Sequence, residues 1–157
     1  MTAPPLLELD SVIAYREYYE QNYCRATIYT FDGIRVYFQP TKFGHAFYKN
    51  SQGKRGAKDE ICPIRCQRMG WVKLTLENQN AQLFFGWNKD EKCLEESRRV
   101  SVVYGDFVVV VDFSLSLKGE LKANFVTCYE ADRSINVIKQ SPIWDKDKCL
   151  SKLNGDK

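Results

Sequence analysis

Three apolar, β-branched stretches, Arg98–Tyr104, Phe107–Leu117 and Leu121–Glu130, follow one another with only Gly105-Asp106 and Lys118-Gly119 between them. A parallel pair needs a crossover of about a dozen residues or more, so links this short leave only antiparallel neighbours. Residues 98–130 are therefore expected to form a three-stranded meander, with a further strand candidate at Ala81–Trp87. A sheet of this kind needs a cover, and the rest of the chain must supply it.

The N-terminal half reads as that cover. Leu9, Val12, Ile13, Tyr19 and Tyr23 recur at roughly helical spacing, predicting an amphipathic helix over Leu6–Tyr23 capped by Asp10 or Ser11. Tyr15, Tyr18, Tyr19 and Tyr23 are read as helix packing and partner surface. Strands are expected over Cys24–Phe31 and Ile34–Gln39, joined by the hairpin signal Asp32-Gly33 and ended by Pro40. A second helix is expected from about Lys58 to Asn78, burying Ile61, Ile64, Met69, Val72 and Leu76. Pro63 is tolerable in its first turns, and Gly70 weakens its middle. Ile135–Gln140 reads as a short helix, and the tail beyond Trp144 as frayed.

Helix, hairpin, helix and then an antiparallel sheet indicate an α+β fold. The 157 residues, 44% hydrophobic and 13% aromatic, are enough for one domain with a proper core and argue against disorder. That single domain spans 1–157, with its core at about 6–142 and a tail over 145–157.

The chain has one histidine, His45, within FGHAFYKNSQGKRGAKDE. This excludes an HExxH metal helix, a three-histidine zinc centre and any pair of histidines sharing acid and base roles. His45 is the natural proton carrier for chemistry at neutral pH, or else an ordinary loop or core residue. The six cysteines form no CxxC pair, so free and mostly buried thiols are expected. Cys62, Cys66, Cys93 and His45 make a weaker zinc reading; no metal and no cofactor are expected. MTAPPLLELD lacks a basic region followed by an apolar run, and Phe107–Val111 is too short to cross a bilayer. A cytoplasmic protein without a membrane partner is the expectation.

Charge is concentrated. Seven basic residues lie between Lys49 and Lys73 against Asp59 and Glu60, although the whole chain carries only +3. Lys49, Lys54, Arg55, Lys58, Arg65 and Arg68 would suit a phosphate-bearing ligand, or simply make a solvated face. In the last long strand Phe125, Thr127 and Tyr129 alternate onto one face, and Val126 and Cys128 onto the other.

Four features of the sequence carry a family resemblance: Gly44-His45-Ala46-Phe47; a helix ending in Arg-Met-x-Trp, Arg68 to Trp71; the strand YGDFVVVV after Arg98 and Arg99; and FVTCY followed by an acidic turn and a short helix. Over roughly residues 43–142 the chain resembles small phage- and mobile-element-borne domains of the barnase–EndoU–colicin E5/D–RelE (BECR) superfamily. The resemblance implies helices packed on a curved antiparallel sheet and metal-independent RNA cleavage, often as a toxin. By it, His45 would be the acid or base, Arg99 or Arg98 the phosphate clamp, and Thr127 and Tyr129 the hydroxyl-bearing positions. RNA would be the substrate, and a toxin would imply a cognate antitoxin or immunity protein. The rival expectation is a non-catalytic module that docks protein or nucleic acid through the basic 49–73 surface.

Overall fold

The computed structural model describes residues 5–49, 60–84, 86–88, 93–95, 100–131, 134–139 and 143–153. Ser11 caps α1 (Val12–Tyr19), its hydroxyl accepting from the Ala14 N–H at 3.1 Å. The helix starts later than the periodicity suggests. Residues before it form an irregular arm, held by the Leu7 N–H on the Gln67 carbonyl (2.7 Å) and the Tyr15 phenol on the Leu7 carbonyl (2.8 Å). At its far end the ladder widens into a π-turn over Glu20–Cys24, where the Arg25 N–H reaches the Glu20 carbonyl at 2.9 Å. Tyr19 and Tyr23 are core residues, not partner surface.

The expected hairpin is present with shorter strands, β1 (Ile28–Tyr29) and β2 (Arg35–Tyr37), paired antiparallel. Gly33 takes φ +86° in the connection, a conformation that favours glycine. Thr30 holds the loop, its hydroxyl donating to the Asp32 carboxylate and accepting from the Ile34 N–H at 3.0 Å. The Phe31 N–H donates to the Leu76 carbonyl at 2.8 Å, which removes it from the ladder.

A 3₁₀ turn (Pro40–Lys42) leads into the single-turn helix α2 (Phe43–Ala46), and then β3 (Tyr48–Lys49) pairs with β4 (Glu60–Ile61). The one helix expected over 58–78 is two, α3 (Pro63–Gln67) and α4 (Met69–Glu77), separated at Arg68 (φ −100°, ψ 17°). Two tertiary contacts depart from a single continuous helix on either side of the break. Glu60 and Ile61 are taken by the strand pair, so Pro63 opens the helix as its first residue. The buried Tyr23 hydroxyl donates to the Met69 carbonyl and accepts from the Lys73 N–H (3.2 Å), inserting itself between the two ends of one helical hydrogen bond. Met69, Val72 and Leu76 are buried as expected; Ile64, on the separate first turn, is 57% exposed.

The principal sheet has the order β1-β2-β10-β9-β8-β5, adding β5 (Gln82–Phe84), β8 (Val100–Tyr104), β9 (Phe107–Leu115) and β10 (Leu121–Glu130). The expected meander is its centre, with Gly105 and Gly119 at positive φ in the two turns. β2 and β10 run parallel; the other pairs are antiparallel. Strands β6 (Gly86–Asn88) and β7 (Cys93–Glu95) form a separate two-stranded ladder. The fold is thus α+β with a six-stranded, mostly antiparallel sheet.

One face of the sheet, lined by Val36, Ala123, Phe125, Val109 and Val102, buries the main core against Tyr19, Phe43, Met69 and Leu76. The opposite face carries a smaller cluster of Phe84, Val103, Val108 and Ala131, with Ile138 of α5 (Ser134–Lys139) against it. The C-terminal segment is not a frayed tail. Trp144 stacks on Phe113 (4.5 Å between rings) and its backbone N–H donates to the Leu83 carbonyl at 2.9 Å. Helix α6 (Lys146–Leu153) then buries Cys149 completely. Its charges mask one apolar stripe, which is why composition suggested fraying. Among the described residues no helix is long and apolar enough to cross a membrane.

Candidate functional site

Helix α2 positions His45 by anchoring its neighbours. Phe43 and Phe47 lie against Tyr19 (ring centroids 5.9 and 5.6 Å), and Phe47 stacks on Phe125 of the sheet (6.4 Å). With Phe43, Ala46 and Phe47 buried inward, His45 is left exposed on the other side of the turn.

Helix α3 is strapped to the end of α2. The Cys62 N–H donates to the Phe47 carbonyl at 2.8 Å, and the Arg65 guanidinium to the Ala46 carbonyl at 3.2 Å. Arg65 thereby stands beside the residue that follows His45. The β3–β4 ladder, with Lys49 opposite Glu60, brings the two ends of the 50–59 segment together at the same place.

On β10, burial pushes the Tyr129 phenol above the ordinary tyrosine value, and the Arg65 charge opposes that rise. One residue on, Glu130 accepts from Arg68 Nε at 2.7 Å, the only ion pair among the described residues. Arg68 also donates to the Ile64 carbonyl (3.0 Å) and lies over the Trp71 ring (5.1 Å), so its charge is already engaged.

Thr127 stands apart. The register of β10 against β9 slips between Phe125 and Thr127, a bulge that interrupts the alternation expected there. Phe125 and Cys128 enter the main core, while Thr127 (opposite Val110) and Tyr129 (opposite Val108) take the other face. The expected grouping of Phe125 with Thr127 is therefore wrong, and α2 with His45 lies on Phe125's side. The Thr127 hydroxyl oxygen is buried with no hydrogen-bond partner among the described residues. Sequence gives no direct signal for a bulge, because strict alternation is the default reading of a strand.

Of the predicted groups, Arg65 is tied to the α2 terminus that carries His45, Lys49 pairs with Glu60 across the short ladder, Arg68 is paired to Glu130, and Thr127 and Tyr129 lie on the opposite face of the sheet. Arg98, Arg99, Lys54, Arg55 and Lys58 lie outside the described residues. The described residues hold no group of three or more His, Cys, Asp or Glu side chains able to ligate a metal. Cys24, Cys62 and Cys66 are free thiols, and burial pushes the Cys66 thiol up to about 12.

Missed by sequence reasoning was a second constellation, on the outer face of the sheet at its β1–β2–β10 end. Arg35 lies over the rings of Tyr29 (5.9 Å) and Tyr37 (4.7 Å), and Lys122 over Tyr37 (5.7 Å). The hairpin alternation places Tyr29 and Tyr37 together; only the parallel β2–β10 pairing adds Lys122. Compared with family models, curated proteins and solved structures, the chain matches none of them.

Proposed function

We propose that the protein is a metal-independent endoribonuclease of the BECR type, acting at the corner formed by α2, α3 and β10. The observation that carries this reading is the Arg65 guanidinium, fixed on the Ala46 carbonyl next to the exposed His45. An exposed imidazole and a held cation are group types that phosphodiester cleavage requires. The family resemblance of residues 43–142 supports the same chemistry.

In the reaction, the ribose 2′-oxygen attacks phosphorus as its proton passes to a base, and the 5′-oxygen leaves as it takes up a proton. The products are a 2′,3′-cyclic phosphate and a 5′-hydroxyl. His45 is the proton-transfer group, and Arg65 holds the charge that grows on the phosphate oxygens. Arg98 or Arg99 would add a second clamp. A toxin of this kind implies an antitoxin or immunity partner.

A second reading is a non-catalytic module that binds RNA through the basic surface. The pairing of Arg68 with Glu130 and the enclosed Thr127 hydroxyl favour it, because both withdraw groups that a full catalytic set would use.

Incubation with total RNA in EDTA distinguishes the two. The ribonuclease reading expects cyclic-phosphate products from the wild type and a loss of about 10²–10⁴-fold in His45→Ala. Arg65→Ala should lower the rate without abolishing folding. Equal products from wild type and His45→Ala remove the imidazole from the mechanism. Retained RNA binding without cleavage leaves the binding module.

A further inference from the structure

The outer-face constellation around Arg35 uses none of His45, Arg65 or Tyr129, and it goes beyond the ribonuclease reading. Tyr29 and Tyr37 are 47% and 44% exposed at the β1–β2 end of the sheet. Tyr29 sits directly opposite Arg35, so Tyr37, two residues further along β2, is its diagonal neighbour at about 7–8 Å. Arg35 and Lys122 are in turn direct partners across the parallel pair. Two like charges in register repel, so this juxtaposition is a cost to the folded protein.

Among the described residues no ion pair offsets that cost, and the one carboxylate on this face, Asp112, stands in the next row. Neither Arg35 nor Lys122 has an acidic partner among the described residues. Arg35 donates once, to the Ala26 carbonyl at 3.3 Å, while its Nε is buried without a partner. The rings of Tyr29 and Tyr37 supply only the weak attraction of a cation for a π-face. Asn124, opposite Asp112, forms the next row, with its amide on the Ser114 hydroxyl at 3.4 Å.

We infer that this face is a binding platform for single-stranded nucleic acid. Exposed aromatic faces interleaved with unpaired cations match a ligand that alternates flat bases with phosphates. Tyr29 and Tyr37 stack successive bases, and Arg35 and Lys122 take the phosphate between them. The Asn124 and Asp112 row stands where base edges would fall. A duplex hides its base faces and cannot use the two rings, so single strands are preferred.

The test is fluorescence anisotropy with labelled oligouridine, oligothymidine and a matched RNA duplex, on a His45→Ala background so that RNA stays intact. Tight binding to both single strands and weak binding to duplex is expected, and preference for one single strand identifies the sugar that is read. Tyr37→Ala and Tyr29→Ala should each weaken binding about tenfold. Lys122→Gln should lower the salt slope by about 0.7. Circular dichroism melts of these exposed-site variants check that the fold persists. Equal affinity for duplex, binding unchanged in both tyrosine variants, or anionic vesicles bound in preference to the oligonucleotides would overturn the inference. Loss of cleavage in His45→Ala with binding retained would leave both readings standing; cleavage intact with no platform binding would remove only this one.

Discussion

Phe125 and Thr127 lie two positions apart on one strand yet occupy opposite faces of the sheet, because the register slips between them. That slip turns the hydroxyl and the phenol of β10 away from the main core, and leaves the Thr127 oxygen buried without a partner among the described residues. A buried, unsatisfied hydroxyl costs about 1–3 kcal/mol relative to an apolar group of the same shape.

Thr127→Val should therefore stabilise the protein by about 1 kcal/mol, raising the melting temperature by about 2–4 °C. A thermal melt followed by circular dichroism measures this. A fall in melting temperature would mean that the hydroxyl has a partner. If RNA cleavage collapses in the same variant while stability rises, the hydroxyl serves the reaction.

Glu130→Gln should release Arg68. The pair is partly exposed, with the two side chains 18% and 45% accessible, so its loss costs less than about 1 kcal/mol. The freed guanidinium adds a cation to the α3–β10 corner. RNA binding at low salt should tighten several-fold, with a steeper salt dependence measured by titration. Unchanged affinity would place the RNA path away from Arg68.

Trp144→Ala should destabilise the fold by about 3–5 kcal/mol, the range for removing a packed aromatic. Its ring is stacked on Phe113 and only 9% exposed. Urea unfolding gives the value directly. A loss below 1 kcal/mol would return the C-terminal segment to the frayed tail that its composition suggested.

Alkaline pH should unfold the protein. Burial pushes the Cys66 thiol from 9.0 to about 12 and the Cys149 thiol to about 11. Burial likewise raises the Tyr19 and Tyr23 phenols. The folded state holds these protons more tightly than the unfolded chain. Stability is therefore fully present below about pH 9 and falls as pH rises through about 9–12, by about 1.4 kcal/mol per unit for each group titrating. Urea midpoints should be flat between about pH 7 and 8 and should drop steadily above about 9. A midpoint constant to pH 11 would mean that the thiols titrate normally in the fold.

The meander was legible because two short links leave the chain a single way to turn, and α+β followed from element order. What failed shares one cause: a tertiary contact overriding a local pattern. The periodicity of 58–78 is helical throughout, but the chain breaks at Arg68, with the β3–β4 pair on one side and the Tyr23 hydroxyl on the other. Strict alternation in β10 was defeated by one extra residue. At the candidate corner, His45 and Arg65 were both named from the sequence, yet their proximity depends on α3 being tied to α2 through the Ala46 and Phe47 carbonyls. The Arg35 cluster needed the parallel pairing of β2 with β10, which no local signal announces.

That parallel pairing also governs how the molecule assembles. The first hairpin and the meander can each zip up quickly from neighbours in the chain, but Lys122 must find Arg35 across most of the polypeptide's length. Closing so long a loop is entropically slow and is rewarded only once the two halves meet. Two sub-structures that form early and a late, rate-limiting union between them are the kinetic signature this topology writes into refolding.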